Sequence, residues 1–219
     1  MVFTPSRESG SRGNNGNKGS KEGFRELLEA SFQKRSLVQI SAGSHVPLLK
    51  NNIWLVVRGM VKLSAITIHG DDILLGMAGP NEPFGDPLNG VEAYTATTLA
   101  DTDLLCLSCS EIREDPALAA AMLDALGQRL QQSQALLALM GLKRVDERVR
   151  GFLELLASEY GQPCESGLRL NLRLTHQEVA SALATTRVTV TRVIGNLRDE
   201  GWLQMDVQRR LVVSYLPRR

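Results

Sequence analysis

Cysteine is scarce in this chain, with three in 219 residues. Three thiols cannot make a disulfide framework, and their scarcity suits a reducing cytoplasm. Long apolar runs are missing as well. A membrane span needs about 18 consecutive apolar residues, and no stretch of the chain approaches that length. The opening residues MVFTPSRESGSRGNNGNKGSKEG carry no apolar core and are not read as a secretory signal. Histidine is limited to His45, His69 and His176, too scattered for a metal site. No Walker loop, Ser/His/Asp arrangement or carboxylate pair stands out, so neither an enzyme nor a cofactor is expected. An excess of one charge is also lacking: 25 Lys+Arg stand against 24 Asp+Glu. Taken whole, that balance favours no polyanionic partner. What is present is ordinary globular composition, 43% apolar and 22% charged, enough for one large or two small domains.

Along the chain the pattern changes four times. Residues 1–23 are Gly, Ser, Asn, Lys and Arg with almost no apolar side chain, which reads as a disordered tail. Phe24, Leu27, Leu28 and Phe32 then fall on one face of a helix over 24–34. Between Ser36 and Leu107 the apolar residues come in short runs: LVQI, IWLVV, VKLSAITI, ILLGMA, TATTLA and LLCL. Gly and Pro punctuate them, and IHGDD at 68–72 reads as a hairpin turn. Six or more short strands so spaced predict an antiparallel sandwich or barrel.

After Asp115-Pro116 a helix is predicted for about 25 residues. Leu123, Leu126, Leu130, Ser133, Leu137 and Met140 step by three and four, the period of a two-stranded seam. A single helix packed on the barrel would give a similar pattern. A second apolar set (Leu118, Met122, Leu136 and Leu139) marks another face, so one face can serve the barrel and the other a second copy. A dimer is therefore expected. Gly141 interrupts this helix and predicts a hinge at 138–145.

The remainder reads as an amphipathic helix over 146–160, then a strand at 168–174 from the alternation LRLNLRL. Thr175 and Glu178 form a capping box for a helix running to about Ala184. A longer helix follows from about Arg187 to Glu200, stopped by Gly201, and a hairpin turns near Asp206–Arg209. Helix, tight turn, helix and hairpin is the order of a winged helix-turn-helix. Val190, Ile194 and Leu197 would bury the longer helix against its predecessor, leaving Arg187, Val188, Thr191 and Arg192 outside. A DNA-reading helix needs this division, with Arg near its N-terminal end to meet guanine O6 and N7 in the major groove. The same arginines, with Arg198, would also suit a solvated face paired with Asp199 and Glu200. The β-branched run VTVT is poor in helix propensity and argues against a helix chosen for stability alone.

The even charge balance divides unevenly. Residues 1–140 hold 12 Lys+Arg against 15 Asp+Glu, a net −3, and residues 141–219 hold 13 against 9, a net +4. A basic rear on an acidic front is the footprint of a DNA-binding unit beside another domain.

The segment LTHQEVASALATTRVTVTRVIGNLRDEGWL resembles the helix-turn-helix of the Crp/Fnr superfamily of transcription regulators, and TRVTVTR is similar to cyanobacterial nitrogen-control members. WLVVRGMVKLS at 54–64 resembles the family's roll segment, and NEPFGDPL at 81–88 sits where its phosphate-binding-cassette turn falls. About 195 residues, from Phe24 on, are covered. The resemblance implies an α+β chain: a disordered tail (1–23), an antiparallel, jelly-roll-like β-roll (24–115), a dimerisation helix with hinge (116–142) and a winged helix-turn-helix (143–219). It implies a homodimer, with Leu123, Leu126, Leu130, Leu137 and Met140 at the interface, binding double-stranded DNA at an inverted repeat, and RNA polymerase as a further partner. Arg187, Val188 and Arg192 would meet base edges, and Gln177, Thr186 and Thr189 phosphates.

Cyclic-nucleotide members neutralise the cyclic phosphate with an Arg followed by Ser or Thr. Here that pair aligns with Glu92-Ala93 and the ribose Glu with Asp86, and no Lys or Arg occurs from Leu63 to Ile112. An anionic ligand would meet no local counter-charge, which argues against cyclic AMP. Nitrogen-control relatives use one Arg in the roll and one on the dimer helix; Arg129 matches only the second. Arg129 and Asp86 are the effector-site candidates, and Arg129 could instead pair with an acid across the interface. Iron–sulfur sensing needs four cysteinyl ligands, more than Cys106, Cys109 and Cys164 supply. Cys106 and Cys109 are expected to be buried structural thiols. Three readings stay open: an effector-controlled regulator, a ligand-independent regulator whose roll only dimerises or contacts proteins, and a cupin-like enzyme fused to a DNA module. The last would need metal-spaced histidines that the roll lacks.

Overall fold

The computed structural model describes residues 36–172 and 174–215. The tail over 1–23 and the helix expected over 24–34 lie outside the described residues. Seven strands build the first unit: β1 (Val38–Ile40), β2 (Asn52–Arg58), β3 (Val61–Ile66), β4 (Asp72–Ala78), β5 (Pro83–Phe84), β6 (Tyr94–Thr98) and β7 (Thr102–Ser108). They form two antiparallel sheets, ordered β1-β7-β2-β5 and β4-β3-β6. The short runs predicted from composition correspond to β1, β2, β3, β4, β6 and β7; the two-residue β5 carried no signal of its own. At the predicted 68–72 turn, the Thr67 carbonyl accepts the N–H of Gly70 and the Thr67 N–H donates to the Asp71 carbonyl.

The alternation along β2 explains why its sequence is continuously apolar. Trp54 and Val56 point between the sheets to meet Leu63, Ala96 and Leu104. Ile53 and Leu55 point to the opposite face, against Ile112, Leu118, Met122 and Ala125. A strand buried on both faces loses the wet-dry alternation of an ordinary sheet surface. Gly59 makes the turn from β2 to β3 with φ +98°, and an added Cβ would stand 2.4 Å from Thr102 Oγ1.

Helix α1 (Cys109–Glu114) opens with a capping box, Ser108 with Glu111. Helix α2 (Pro116–Met140) starts on Asp115, whose carboxylate accepts the N–H groups of Ala117 and Leu118. Its faces divide the apolar positions. Leu118 and Met122 pack on the roll, whereas Leu136 and Leu139 pack on the C-terminal unit. Leu123, Leu130 and Leu137 are 71, 60 and 74% exposed. The helix ends at Met140, and α3 (Val145–Tyr160) begins after a four-residue break at 141–144.

The C-terminal unit holds α3, β8 (Gly161–Cys164), β9 (Gly167–Leu170), α4 (His176–Ala182), α5 (Arg187–Asp199), β10 (Leu203–Met205) and β11 (Leu211–Ser214). Its sheet runs β10-β11-β9-β8. Four expectations need correction. The strand read at 168–174 stops at Leu170, because the ladder to β11 ends at Arg169–Val212 and the ladder to β8 ends at Leu170–Gly161, where β8 itself begins. The preceding segment Gly161–Cys164, read as no element, is an edge strand, where Pro163 is tolerated. The helix expected to reach Ala184 ends at Ala182, because Ala184 adopts φ +48° in the turn, a left-handed conformation that costs a residue with a β-carbon about 1–2 kcal/mol. Cys106 and Cys109 are half-buried and unbridged rather than fully buried. Cys106 leans towards Asn52, whose Nδ2 donates to its sulfur at 3.2 Å.

The two units share one core. Met60 and Met77 of the roll lie in the same buried cluster as Phe152, Leu153, Val190, Val193, Trp202 and Leu203.

Candidate nucleic-acid interface

Helices α4 and α5 form the helix-turn-helix, and the chain supplies both caps. Thr175 Oγ1 accepts the N–H of Glu178, and the Glu178 carboxylate accepts the N–H of Thr175 at 2.6 Å. Thr186 caps α5 by accepting the N–H of Thr189 at 3.1 Å. Four apolar residues of α5 are buried: Val190, Val193, Ile194 and Leu197. The stripe places Arg187, Val188, Thr191 and Arg192 in solvent, with Val188 79% exposed. An exposed β-branched residue between two exposed arginines gives a helix face little folding stability. That face offers guanidinium forks and one methyl-rich contact instead, the chemistry of a major-groove reader.

Five of the six residues expected to meet DNA lie at the N-terminal end of α5. Arg187 and Val188 occupy the first turn of α5, with Arg192 one turn on. Thr186 and Thr189 lie at its N-terminus with their hydroxyls 2.9 Å apart. One hydroxyl of the pair donates to the other, so the two together keep one proton for an acceptor outside, such as a phosphate oxygen. Gln177 is exposed at the start of α4. Sequence reasoning missed the bond that fixes the two helices together. His176 Nδ1 lies 2.8 Å from Thr191 Oγ1, and that hydroxyl donates to the Arg187 carbonyl at 2.9 Å. With its own proton on the Arg187 carbonyl, the Thr191 hydroxyl is left as an acceptor for an N–H at the His176 ring.

The turn between β10 and β11 is equally ordered. The Asp206 carboxylate accepts the N–H of Arg210 at 2.8 Å, the N–H of Gln208 at 2.9 Å and the Arg210 guanidinium at 2.7 Å. The Arg210 N–H and then its guanidinium hold this carboxyl below the usual range. Arg209, at φ +60°, and fully exposed Val207 stand at the tip.

A second feature lies between the roll and α2. A cavity of about 590 Å³ opens among Leu74, Val91, Tyr94, Leu130, Leu137 and Leu183. Arg129 is the one charged side chain among the described residues that line it. Burial pushes the Tyr94 phenol up to about 12, against the opposing pull of Arg129. Of the two effector candidates, Arg129 lines the cavity, whereas Asp86 is exposed at the start of a short 3-10 turn, outside the lining. Among the described residues no group of three or more His, Cys, Asp or Glu gathers to hold a metal ion. No described helix is long and apolar enough to cross a membrane.

Comparison with known proteins bears on both features. Residues 147–218 match the model of the Crp-like helix-turn-helix domain. The chain is 31% identical over 157 residues to the global nitrogen regulator of Nostoc sp., covering 68% of this chain and 70% of that protein. It is 32% identical over 173 residues to the regulatory protein CysR of Synechococcus elongatus, covering 78% and 80%. Among solved structures, a CRP/FNR-family transcriptional regulator from Thermus thermophilus superposes with a TM-score of 0.64 at 26% identity, covering 81% of this chain and 93% of that one. A CooA variant from Carboxydothermus hydrogenoformans shares the fold at a TM-score of 0.69 and 21% identity, over 87% and 90%.

Proposed function

The chain belongs to the Crp/Fnr family of transcription regulators, and from that premise we propose that it acts as a cytoplasmic homodimer reading an inverted repeat in double-stranded DNA. One observation carries the reading: the exposed face of α5, where Arg187, Val188 and Arg192 stand clear of a fully apolar inner face. In this reading Arg187 and Arg192 bond guanine edges, Val188 packs on a thymine methyl, and Gln177, Thr186 and Thr189 hold phosphates. The dimer forms along α2 through Leu123, Leu126, Leu130, Leu137 and Met140, whose exposed and half-buried side chains would otherwise leave an apolar stripe in water. RNA polymerase is the further partner at the promoter.

The sensing half of the proposal concerns the cavity. Its lining is apolar apart from Arg129 and a few polar groups, and the roll has no cation from Leu63 to Ile112. A cyclic nucleotide phosphate would meet no fork of its own there, so the pocket is a degenerate one. A ligand-independent regulator is the second reading. It is favoured by Arg129, whose guanidinium is already bonded to the Met77 carbonyl and to Gln132 Oε1. Titration calorimetry with cyclic AMP is expected to give no saturable heat; saturable binding would contradict the degenerate-pocket reading.

Arg187→Ala tests the DNA half. The variant is expected to keep its circular dichroism and its dimer while losing the footprint on DNA selected by the wild type. An unchanged footprint would overturn the contact assignment.

A further inference from the structure

Strand β4 is an edge. In the sheet β4-β3-β6 its one strand partner among the described residues is β3, so its outer backbone groups meet no described strand. Side chains cover them at Met77. The Met77 N–H donates to Gln132 Oε1 at 2.8 Å, and its carbonyl accepts from Arg129 Nη1. Gln132 is 4% exposed, although it lies on a helix whose neighbours Gln131, Ser133 and Gln134 are in water. Its amide is fully used. Oε1 also accepts from Arg129 Nη1 at 3.0 Å, and Nε2 donates to Glu159 Oε2 at 2.7 Å and to Tyr160 Oη at 2.6 Å. Tyr160 donates its one proton to Glu82 Oε2 at 2.8 Å, with the Met77 carbonyl as alternative acceptor at 3.1 Å. Glu82 in turn accepts the N–H of Gly79 at 2.9 Å.

These residues come from three parts of the chain. Met77, Gly79 and Glu82 belong to the roll, Arg129 and Gln132 to α2, and Glu159 and Tyr160 to the last turn of α3. Room for them is made by two glycines. A Cβ on Gly76 would stand 2.8 Å from Gln132 Oε1, and one on Gly79 would stand 2.7 Å from the Tyr160 ring. A polar network centred on a buried amide with both donors and both acceptor sites used selects one arrangement of the elements it joins, because each alternative strands a donor or acceptor of that amide.

We propose that Tyr160, Glu82 and Gln132 form a clasp that fixes the DNA-binding unit on the roll of its own protomer and so sets where α5 is presented. Arg129 joins the clasp to the cavity, since the same side chain bonds Met77 and Gln132 and lines the cavity wall. A ligand that drew the guanidinium inward would take a donor from the Met77 carbonyl. Apolar packing across the boundary, by Met60 and Met77, holds the units together but is indifferent to small rotations; the hydrogen bonds are not. Tyr160, Glu82 and Gln132 are thus positioning residues. They touch no DNA.

Tyr160→Phe is the direct test, because it deletes the hydroxyl and keeps the ring against Gly79. Two readouts are taken on the full-length protein. Hydrogen exchange at Met77 and Gly79 reports the clasp itself without any DNA, with the β2–β7 amides as internal reference. Affinity for inverted-repeat DNA selected by the wild type reports the presentation of α5, and this arm alone rests on the DNA-binding reading. The clasp predicts at least a threefold faster exchange at both amides, and at least a threefold change in affinity. A smaller change in exchange overturns the clasp, and faster exchange with a smaller change in affinity overturns its role in presentation. A wild type that binds no DNA would instead refute the regulator reading and leave the exchange arm to decide the clasp. Glu82→Ala, on the other side of the network, is expected to give the same two changes and replaces Tyr160→Phe should that variant not fold.

Discussion

Arg187 stands where three requirements meet: the first turn of a helix, exposure to solvent, and a backbone held from behind. The bond from Thr191 to its carbonyl and the Thr186 cap fix that backbone, and the side chain stands exposed from it. Replacing it with alanine should cost about 1–3 kcal/mol of specific binding and relax the preference at one base position. Thr186→Ala acts differently. It removes the cap and should lower unfolding stability by about 1 kcal/mol, measured by urea denaturation, and weaken DNA binding similarly for all sequences. Glu159 belongs to the same scale. Burial pushes its carboxyl up from the usual range, with the Gln132 bond opposing and nearby Glu82 reinforcing the rise. A carboxyl whose folded value is raised still holds its proton in the folded state after the unfolded chain has lost it. Stability therefore falls as the pH rises from about 4 through that raised value. Glu159→Gln should melt higher than the wild type at pH 7, with the difference closing towards pH 4.

At the scale of elements, α2 carries the clearest division of labour. One face is buried on the roll at Leu118 and Met122, a second on the C-terminal unit at Leu136 and Leu139, and a third is exposed at Leu123, Leu130 and Leu137. Placing Glu at both 130 and 137 would bring like charges together across a parallel seam. Sedimentation should then report a monomer for the variant and a dimer for the wild type; a variant that still sediments as a dimer would exclude this seam. Much of this was legible in the sequence, because period and caps are local properties. The Thr175 and Glu178 box, the Val190, Ile194 and Leu197 stripe and the end of α2 at Met140 all follow from residues within a few turns of each other. What escaped was non-local. Gln132 looks like one more surface glutamine in a run of QQSQ, and only the edge of β4, 55 residues away, makes it a buried acceptor. The edge strand Gly161–Cys164 escaped for a related reason, since an edge strand with one neighbour needs neither alternation nor β-branched residues.

Across the whole molecule, an acidic N-terminal part and a basic C-terminal part share a continuous core and a polar network around the buried Gln132 amide. That construction suits a protein in which occupancy or packing at one end alters presentation at the other. It also predicts that binding, being dominated by the net +4 half, weakens steeply with salt. Two copies joined along α2 would set two α5 helices about one turn of DNA, or 34 Å, apart. The measurement that bears most directly on this account is selection of bound sequences from a random double-stranded DNA pool by the purified full-length protein. The account predicts enrichment of an inverted repeat whose half-site centres are about 10–10.5 base pairs apart or a multiple of that spacing. Enrichment of an unrepeated half-site, or of nothing at all, would contradict it.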